Sequence, residues 1–151
     1  MRLMYDYIIG YDKNGAALGR CLAEHLRGKG IGVCDMGADD GTYYPLVAER
    51  VCKALKKSAV PARAILVCGT GLGMCIAANK IKGVYAAVCH DAYSAERAVL
   101  SNNANVFCFG ARVIGDMAAK SLVDIILPLE FREGRSTPKL AEIYRIENEN
   151  Q

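Results

Sequence analysis

Two hydrophobic periodicities alternate along the chain and predict strands and helices in turn. Short apolar runs bounded by glycine or polar residues fit buried strands, and apolar residues at every third or fourth position fit amphipathic helices. The helical spacing is clearest at Leu18, Leu22 and Leu26. The predicted strands are 5–10, 31–35, 64–68, 84–89 and 106–110. The predicted helices are 16–27, one opened by Pro45, 71–80, one ending near 100, 114–127 and 140–148.

This alternation predicts one α/β domain over residues 1–151, with a doubly wound, mostly parallel five-stranded sheet in a Rossmann-like three-layer sandwich. The run 84–89 is nearly all apolar, as expected for a strand covered on both faces. The last helix is not needed to close the sheet and is expected to pack on a partner subunit. Ligands bind at the carboxyl ends of such strands. The loops expected to meet at that edge are those at residues 12, 39–44, 68–73, 90–93 and 102–105.

Composition excludes several classes of protein. Hydrophobic residues make up 52% of the chain, but no apolar run is long enough to span a membrane, and the first residues do not form a secretory leader. The net charge of +3 is small and its lysines and arginines are spread out, so no nucleic-acid partner is expected. The seven cysteines form no CxxC pair, which indicates free thiols in a reducing cytoplasm. The two histidines lack metal-site spacing, so no metal is expected.

The stretch that carries the most chemical information is the end of the third predicted strand. An apolar run closes in Cys68, and glycines follow at 69, 71 and 73 before a predicted helix. Glycine lets backbone N–H groups approach a ligand, and a helix start adds partial positive charge, so this loop suits an anion. The same groups would favour the thiolate form of Cys68. On the local pattern alone, a buried cysteine beside a tight turn explains these residues equally well.

Several motifs in a fixed order give the chain a family resemblance. From residue 8 to about 143 it resembles the ribose-5-phosphate isomerase B and galactose-6-phosphate isomerase family. The motifs are CGTG at 68–71, GM at 73–74, IAANK at 76–80, YSA at 93–95, NNANV at 102–106, GARVIG at 110–115 and FREGR at 131–135.

The resemblance implies an aldose–ketose isomerase for a sugar phosphate of the ribose 5-phosphate type, working through a cis-enediolate without metal or cofactor. Cys68 matches the family's base, and Thr70 is expected to position the thiol or a substrate hydroxyl. The family is built from dimers whose sites use both chains, and Asn102 matches an asparagine that reaches a neighbouring subunit's site. A homodimer or a homotetramer is therefore expected. The residues expected to stabilise the enediolate through their N–H groups are Gly69, Gly71, Leu72 and Gly73.

Further contacts to the substrate are implied by the same resemblance. The basic positions expected to hold the phosphate are Arg112, Arg135 and Lys139. An exposed arginine is more often only solvated. Tyr44 matches a tyrosine near the sugar, although packing on Pro45 explains it as well. The remaining residues expected near the sugar are Asp12, Lys13, His90 and Ser101.

Three family histidines are replaced in this chain, by Lys13, Ser101 and Ser136. The histidine that matches Ser101 is the one credited with opening the sugar ring, and serine does no acid–base work near pH 7. Of the two histidines present, His25 lies on the first predicted helix and is expected to be structural. His90 ends the fourth predicted strand at the ligand edge and is the remaining candidate for the site.

These departures leave several alternatives open. The substrate could be open-chain, such as a tetrose 4-phosphate, or could be derived from a uronate. Asp12, His90 or spontaneous chemistry could open a ring. The chain could be one subunit of a mixed oligomer like the galactose-6-phosphate isomerases. A non-enzymatic sugar-phosphate-binding protein on the same fold is a further alternative, against which the thiol of Cys68 counts, because binding needs no thiol.

Overall fold

The computed structural model describes residues 5–151, in which a five-stranded sheet lies between two layers of helices. The strands are β1 (Asp6–Tyr11), β2 (Val33–Asp35), β3 (Ala62–Cys68), β4 (Ala86–Val88) and β5 (Val106–Gly110). Their order across the sheet is β2-β1-β3-β5-β4, and every neighbouring pair is parallel. The predicted doubly wound α/β fold is therefore confirmed. The prediction that no secretory leader is present falls largely on residues 1–4, which lie outside the described residues.

Each predicted helix is present, with shifted ends. The helices are α1 (Ala16–Gly28), α2 (Tyr44–Lys57), α3 (Leu72–Ala78), α4 (Ala92–Leu100), α5 (Asp116–Ile126) and α6 (Thr137–Asn150), and a 3-10 turn covers Lys13–Gly15. The last helix begins three residues before the predicted 140, because Pro138 fits its first turn. Within residues 5–151, no helix is long and apolar enough to cross a membrane.

The two faces of the sheet build two separate cores. Because side chains alternate along a strand, Tyr7 and Ile9 face one side while Ile8 faces the other. The first core packs α1, α4 and α5 over the sheet and includes Phe107. The second core packs α2 and α3 over the opposite face and includes Leu66. Helices on both faces leave the strand ends as the places where the sheet meets solvent.

The fourth strand differs from its prediction. Only Ala86–Val88 of the predicted run 84–89 pairs as a strand, and it is half-buried at the edge of the sheet. Within residues 5–151, its only strand neighbour is β5. On the free side, the side-chain amide of Asn79 accepts from the N–H of Ala86 at 2.8 Å and donates to its carbonyl at 3.0 Å. One amide therefore occupies the place of a further strand.

The last helix is fastened to the segment before β4. The Glu147 carboxylate accepts the Gly83 N–H at 2.9 Å and the Tyr85 hydroxyl at 2.5 Å. The rings of Tyr85 and Tyr144 lie 5.2 Å apart. The inner face of α6 thus packs on its own chain, while Ile146 on the same helix is 52% exposed. That α6 also packs on a partner subunit stays a prediction.

Replacing Tyr85 with phenylalanine is expected to lower the free energy of unfolding by about 1 kcal/mol at pH 7. The hydrogen bond from Tyr85 lowers the pKa of Glu147 below its ordinary value of 4.5. A lowered folded-state pKa stabilises the fold above that ordinary value, and this stability is lost as the pH falls through the folded-state pKa. Urea unfolding of both proteins at pH 7 and pH 3 should therefore show a smaller difference at pH 3. Equal differences would contradict the role of the carboxylate.

Candidate active site

Cys68 ends the central strand β3 and is 5% exposed. Its Sγ accepts a hydrogen bond from the N–H of Gly71 at 3.2 Å. Gly71 has a φ of +81°, a conformation that side-chain-bearing residues rarely adopt, so glycine is required for this turn. The loop thereby aims an N–H donor at the sulfur, which stabilises negative charge on it.

Three other N–H groups of the loop remain open for a ligand. The N–H of Leu72 is taken by Thr70 Oγ1 at 3.3 Å. Among the described residues, the N–H groups of Gly69, Thr70 and Gly73 donate to no protein acceptor. Donors of this kind next to a thiol can hold an oxyanion at the place where negative charge develops during proton transfer.

Glycines also allow two close approaches around the loop. A Cβ at Gly110 would lie 2.6 Å from the Thr70 backbone, so the loop can cross the end of β5 only over a glycine. A Cβ at Gly73 would lie 2.2 Å from the ring of Tyr44. The aromatic ring of Tyr44, which begins α2, therefore lies directly against the loop. The structure thus places Tyr44 against Gly73 of the loop, and its contact with the sugar stays a prediction.

An open cleft of about 400 Å³ lies between the turn after β1 and the start of α2. Its lining includes Asp12, Lys13, Thr42 and Tyr44. Asp12 is 8% exposed and accepts the N–H of Gly15 at 3.0 Å, so its carboxylate holds the turn in place. The predicted sugar-side residues of the first turn thus lie on the same edge as the glycine loop.

Arg112 lies over the glycine loop. A Cβ at Gly69 would lie 3.8 Å from the Arg112 Cδ. The Nη2 of Arg112 donates to Asn14 Oδ1 at 3.3 Å. Asn14 was not predicted to be a site residue. Its only signal was its place in the turn beside Asp12 and Lys13.

His90 reaches the ligand edge but is held by the backbone. Its Nε2 accepts the N–H of Gly110 at 2.8 Å, which requires the proton of a neutral ring to lie on Nδ1. Burial lowers the pKa of His90 below its ordinary value of 6.5, against a smaller opposing effect of Asp91. Gly110 pairs with Cys68 on the neighbouring strand, so β5 lies between the His90 segment and β3. This hydrogen bond joins the segment after β4 to the end of β5, and His90 does not line the cleft.

The prediction that loop 102–105 joins the other loops at one edge is wrong. This segment precedes β5, so it lies at the amino ends of the parallel strands. The Asn105 carbonyl accepts the N–H of Ala64, four residues or about 13 Å along β3 from Cys68. Ser101 lies there too, and its hydroxyl accepts from Arg97 at 3.1 Å. Ser101 and Asn102 are therefore not part of their own chain's cleft.

The three predicted phosphate cations are also separated. Arg112 follows β5 at the carboxyl edge, whereas Arg135 and Lys139 come after α5, which returns the chain to the amino edge. The N–H of Arg132 donates to the Leu100 carbonyl, which places this segment beside the end of α4. A single chain thus supplies cations to two opposite edges of the sheet, because its strands are parallel and its helices run back.

A second thiol lies in the first turn of α3, directly after the loop. Cys75 on α3 accepts a hydrogen bond from Cys108, which lowers the pKa of Cys75 to about 7, although burial acts in the opposite direction. Its sulfur is 3.4 Å from the Ala86 carbonyl. Cys75 therefore points toward β4 and β5, whereas Cys68 lies at the start of the glycine loop and accepts the Gly71 N–H.

Comparison with known proteins gives one consistent result. The profile of the Ribose/Galactose Isomerase family matches residues 7–143. A D-erythrulose-4-phosphate isomerase of Pectobacterium atrosepticum is 42% identical, over 98% of this chain and 99% of the relative. A ribose-5-P isomerase B of Listeria innocua is 43% identical, over 95% of this chain and 97% of the relative. The structure of Clostridium thermocellum ribose-5-phosphate isomerase B gives a TM-score of 0.91 at 37% identity, over 97% of this chain and 99% of the other.

The imidazole of His90 is expected to be neutral at pH 7 with its proton on Nδ1, and to titrate below pH 6.5 because burial disfavours the charged ring. Long-range ¹H–¹⁵N correlation spectra distinguish the two tautomers, and a His90→Asn variant assigns the signals. A proton on Nε2 at pH 7 would be incompatible with the hydrogen bond from Gly110.

Proposed function

Because the chain belongs to the Ribose/Galactose Isomerase family, we propose that it interconverts the aldose and ketose forms of a four-carbon sugar phosphate. The general activity follows from the family: the chain is a sugar-phosphate isomerase of the ribose-5-phosphate isomerase B type. Relatives that match over nearly their whole length are named for different sugars. The choice of sugar therefore depends on the residues of the site.

The lack of a free imidazole is the observation that carries this choice. Ser101 stands where the ring-opening histidine is expected, and its hydroxyl is bonded to Arg97. His90 accepts the Gly110 N–H at its Nε2. The other histidine, His25 on α1, pairs at 2.7 Å with Asp124 on α5. Neither histidine supplies a group that both gives and takes protons at the sugar near pH 7.

A four-carbon sugar phosphate needs no ring opening. In an aldopentose 5-phosphate, the hydroxyl on C4 closes onto the aldehyde and removes the carbonyl. In a tetrose 4-phosphate, that oxygen carries the phosphate, so no furanose forms and the carbonyl stays available. A site with a base and an oxyanion-binding loop but no ring-opening histidine fits erythrose 4-phosphate and erythrulose 4-phosphate. The name of the Pectobacterium atrosepticum relative supports this choice.

In this proposal Cys68 is the base. The thiolate takes the proton from C2 of the aldose, the C1–C2 double bond forms, and negative charge develops on O1. The open N–H groups of Thr70 and Gly73 stabilise that charge. The O2 hydroxyl proton passes to O1, the thiol returns its proton to C1, and C2–O2 becomes the carbonyl of the ketose. Each proton lost is regained, so the reaction consumes no cofactor.

Two copies of the chain complete the site in this proposal. Cys68 and Arg112 lie at one edge of the sheet, and Asn102, Arg135 and Lys139 lie at the other. The basic side chains of the second edge are exposed and, within residues 5–151, form no ion pair. We therefore assign the loop of each site to one copy and the basic segment to its neighbour. Ile143 and Ile146 on α6 offer exposed apolar surface beside that segment.

Erythrose 4-phosphate is expected to be isomerised at least about tenfold faster than ribose 5-phosphate, because ring opening limits the rate with ribose 5-phosphate. The Ser101→His substitution is expected to raise pentose turnover more than tetrose turnover, by about 10- to 100-fold. Reactions in deuterated water followed by NMR report both ketose formation and exchange of the C2 proton.

The matched control for this experiment is Ser121→His, which places a histidine at an exposed serine on α5. It should change neither activity. The substrate assignment is wrong if the unmodified protein isomerises ribose 5-phosphate at about 10 per second or more and erythrose 4-phosphate more slowly. Exchange of the C2 proton in a uronate-derived sugar, with no exchange in either sugar phosphate, would indicate a carboxylate substrate.

Mixing two variants with different defects is expected to restore activity if the site is shared. Cys68→Ser should lower kcat by about 10² to 10⁴, the usual effect of losing an acid–base group. Arg135→Ala should weaken substrate binding. In a mixed dimer, one of the two sites combines an intact loop with an intact basic segment, so co-expression should recover about a quarter of the parental activity.

Two controls accompany the mixing experiment. Co-expressed Cys68→Ser and Thr70→Ala carry their defects in the same part of the site and should not complement each other. Cys75→Ser should keep parental turnover, because that thiol points toward the Ala86 carbonyl and not into the glycine loop. If Cys68→Ser and Arg135→Ala form mixed dimers without recovering activity, each chain holds a complete site and the shared arrangement is incorrect.

A further inference from the structure

Two thiols that the proposed reaction does not use lie against each other beneath α3. Cys75 on α3 is half-buried, and Cys108 in the middle of β5 is fully buried. Both pack in the second core, where the thiol of Cys108 donates a hydrogen bond to the sulfur of Cys75. Cys89, after β4, belongs to the first core on the opposite face of the sheet. Cys75 and Cys108 therefore form a pair, with one thiol partly open to solvent and the other shielded beneath it.

The surroundings of Cys75 make its sulfur the more reactive of the two. Besides the hydrogen bond from Cys108, the side-chain amide of Asn79 donates to this sulfur at 3.6 Å. The hydrogen bond from Cys108 lowers the pKa of Cys75 to about 7, against the effect of burial, and the same contact raises the pKa of Cys108. The Ala86 carbonyl, at 3.4 Å, accepts from the fraction of Cys75 that stays neutral. A partly ionised, accessible thiol that touches a second thiol is typical of a redox-sensing pair.

Cys75 is also bonded to the glycine loop through its backbone. Its N–H donates to the Gly71 carbonyl at 3.1 Å, and the N–H of Gly71 donates to the sulfur of Cys68 at 3.2 Å. Gly71 thus joins Cys75 to the proposed catalytic thiol through two hydrogen bonds. Two sulfurs must close to about 2.0 Å to form a disulfide, well inside hydrogen-bond contact. Such a bond would draw the first turn of α3 toward β5, and the loop would shift with it.

We propose that Cys75 and Cys108 form a reversible disulfide when the protein meets hydrogen peroxide, and that this bond slows the isomerase. The Cys75 thiolate attacks one peroxide oxygen, the O–O bond breaks and hydroxide leaves, so Cys75 becomes a sulfenic acid. The sulfur of Cys108 then attacks the sulfur of Cys75, the S–O bond breaks, and the departing hydroxide takes the Cys108 proton to form water. The two sulfurs lose two electrons, which reduce the peroxide to one hydroxide and one water. Excess dithiothreitol reverses the bond by thiol–disulfide exchange.

The test uses the intact protein, treated with hydrogen peroxide and then alkylated. Tandem mass spectrometry of a tryptic digest should link peptide 64–80 to peptide 98–112, with Cys75 as the linked position of the first peptide. The oxidised protein should turn over about 10- to 100-fold more slowly, because a misplacement of about 1 Å at a catalytic group has an effect of this size. Dithiothreitol should restore the parental rate. The rate is measured with both erythrose 4-phosphate and ribose 5-phosphate.

Four variants locate the effect of the peroxide. Cys75→Ser should keep the parental turnover before and after treatment. Cys108→Ala lacks the second thiol, so its Cys75 should stop at the sulfenic acid, which dimedone labels. Cys34→Ser is the matched control, because it removes an exposed thiol outside the pair, and it should respond to peroxide as the parental protein does. Cys68→Ser should still form the link, because the proposed catalytic thiol is not part of it.

Inactivation of Cys75→Ser at the parental rate would show that peroxide acts on Cys68, and would overturn the inhibitory role of the pair. A link from peptide 98–112 to Cys68, or no linked peptide in the oxidised parental protein, would overturn the disulfide. A complete link without loss of turnover would overturn the coupling through Gly71. The linked peptide is identified by its mass and does not depend on which sugar is isomerised. If it forms while erythrose 4-phosphate is not converted, the disulfide is supported and the proposed substrate is wrong.

Discussion

The close approach of two backbones at the carboxyl end of the central strands is the contact on which the site depends. The loop after Cys68 crosses β5 where a Cβ on Gly110 would come within 2.6 Å of Thr70. Gly71 completes the crossing in the left-handed region, where another residue would add about 1–2 kcal/mol of strain. The same crossing turns the Gly71 N–H onto the sulfur of Cys68. Packing and chemistry are therefore set by one geometric feature.

The sequence is enough to find the loop but not the crossing. The apolar run that ends at Cys68 and the alternate glycines after it mark a tight turn at the end of a strand, but its contact with Gly110 depends on the pairing of β3 with β5. The positions of Ser101 and Asn102 could not be found in the same way, because loops before and after a strand have similar compositions. Only the direction of β5 places them at the opposite edge. Asn14 was missed because its partner, Arg112, is 98 residues away, and no local pattern marks such a pair.

The structure divides the chain's polar groups by edge. The carboxyl edge carries the thiol, the open N–H groups, Arg112 and Lys13, which are the groups able to act on a small anionic molecule. The amino edge carries exposed cations with no counter-ions in the described residues. Helices cover both faces of the sheet, so a ligand can approach only at the edges. This division explains why one chain presents a cleft and a separate basic segment.

The amide of Asn79 has a consequence for how copies of this chain associate. An exposed edge strand invites pairing with a strand of another molecule, which leads to continuous sheets and aggregation. Here both polar groups of Ala86 are already bonded to one side chain, so an incoming strand would have to displace two hydrogen bonds at once. Growth of the sheet beyond five strands is thereby blocked on that side. On that side of the sheet, association with another copy is left to helices and loops, where side-chain contacts determine the partner.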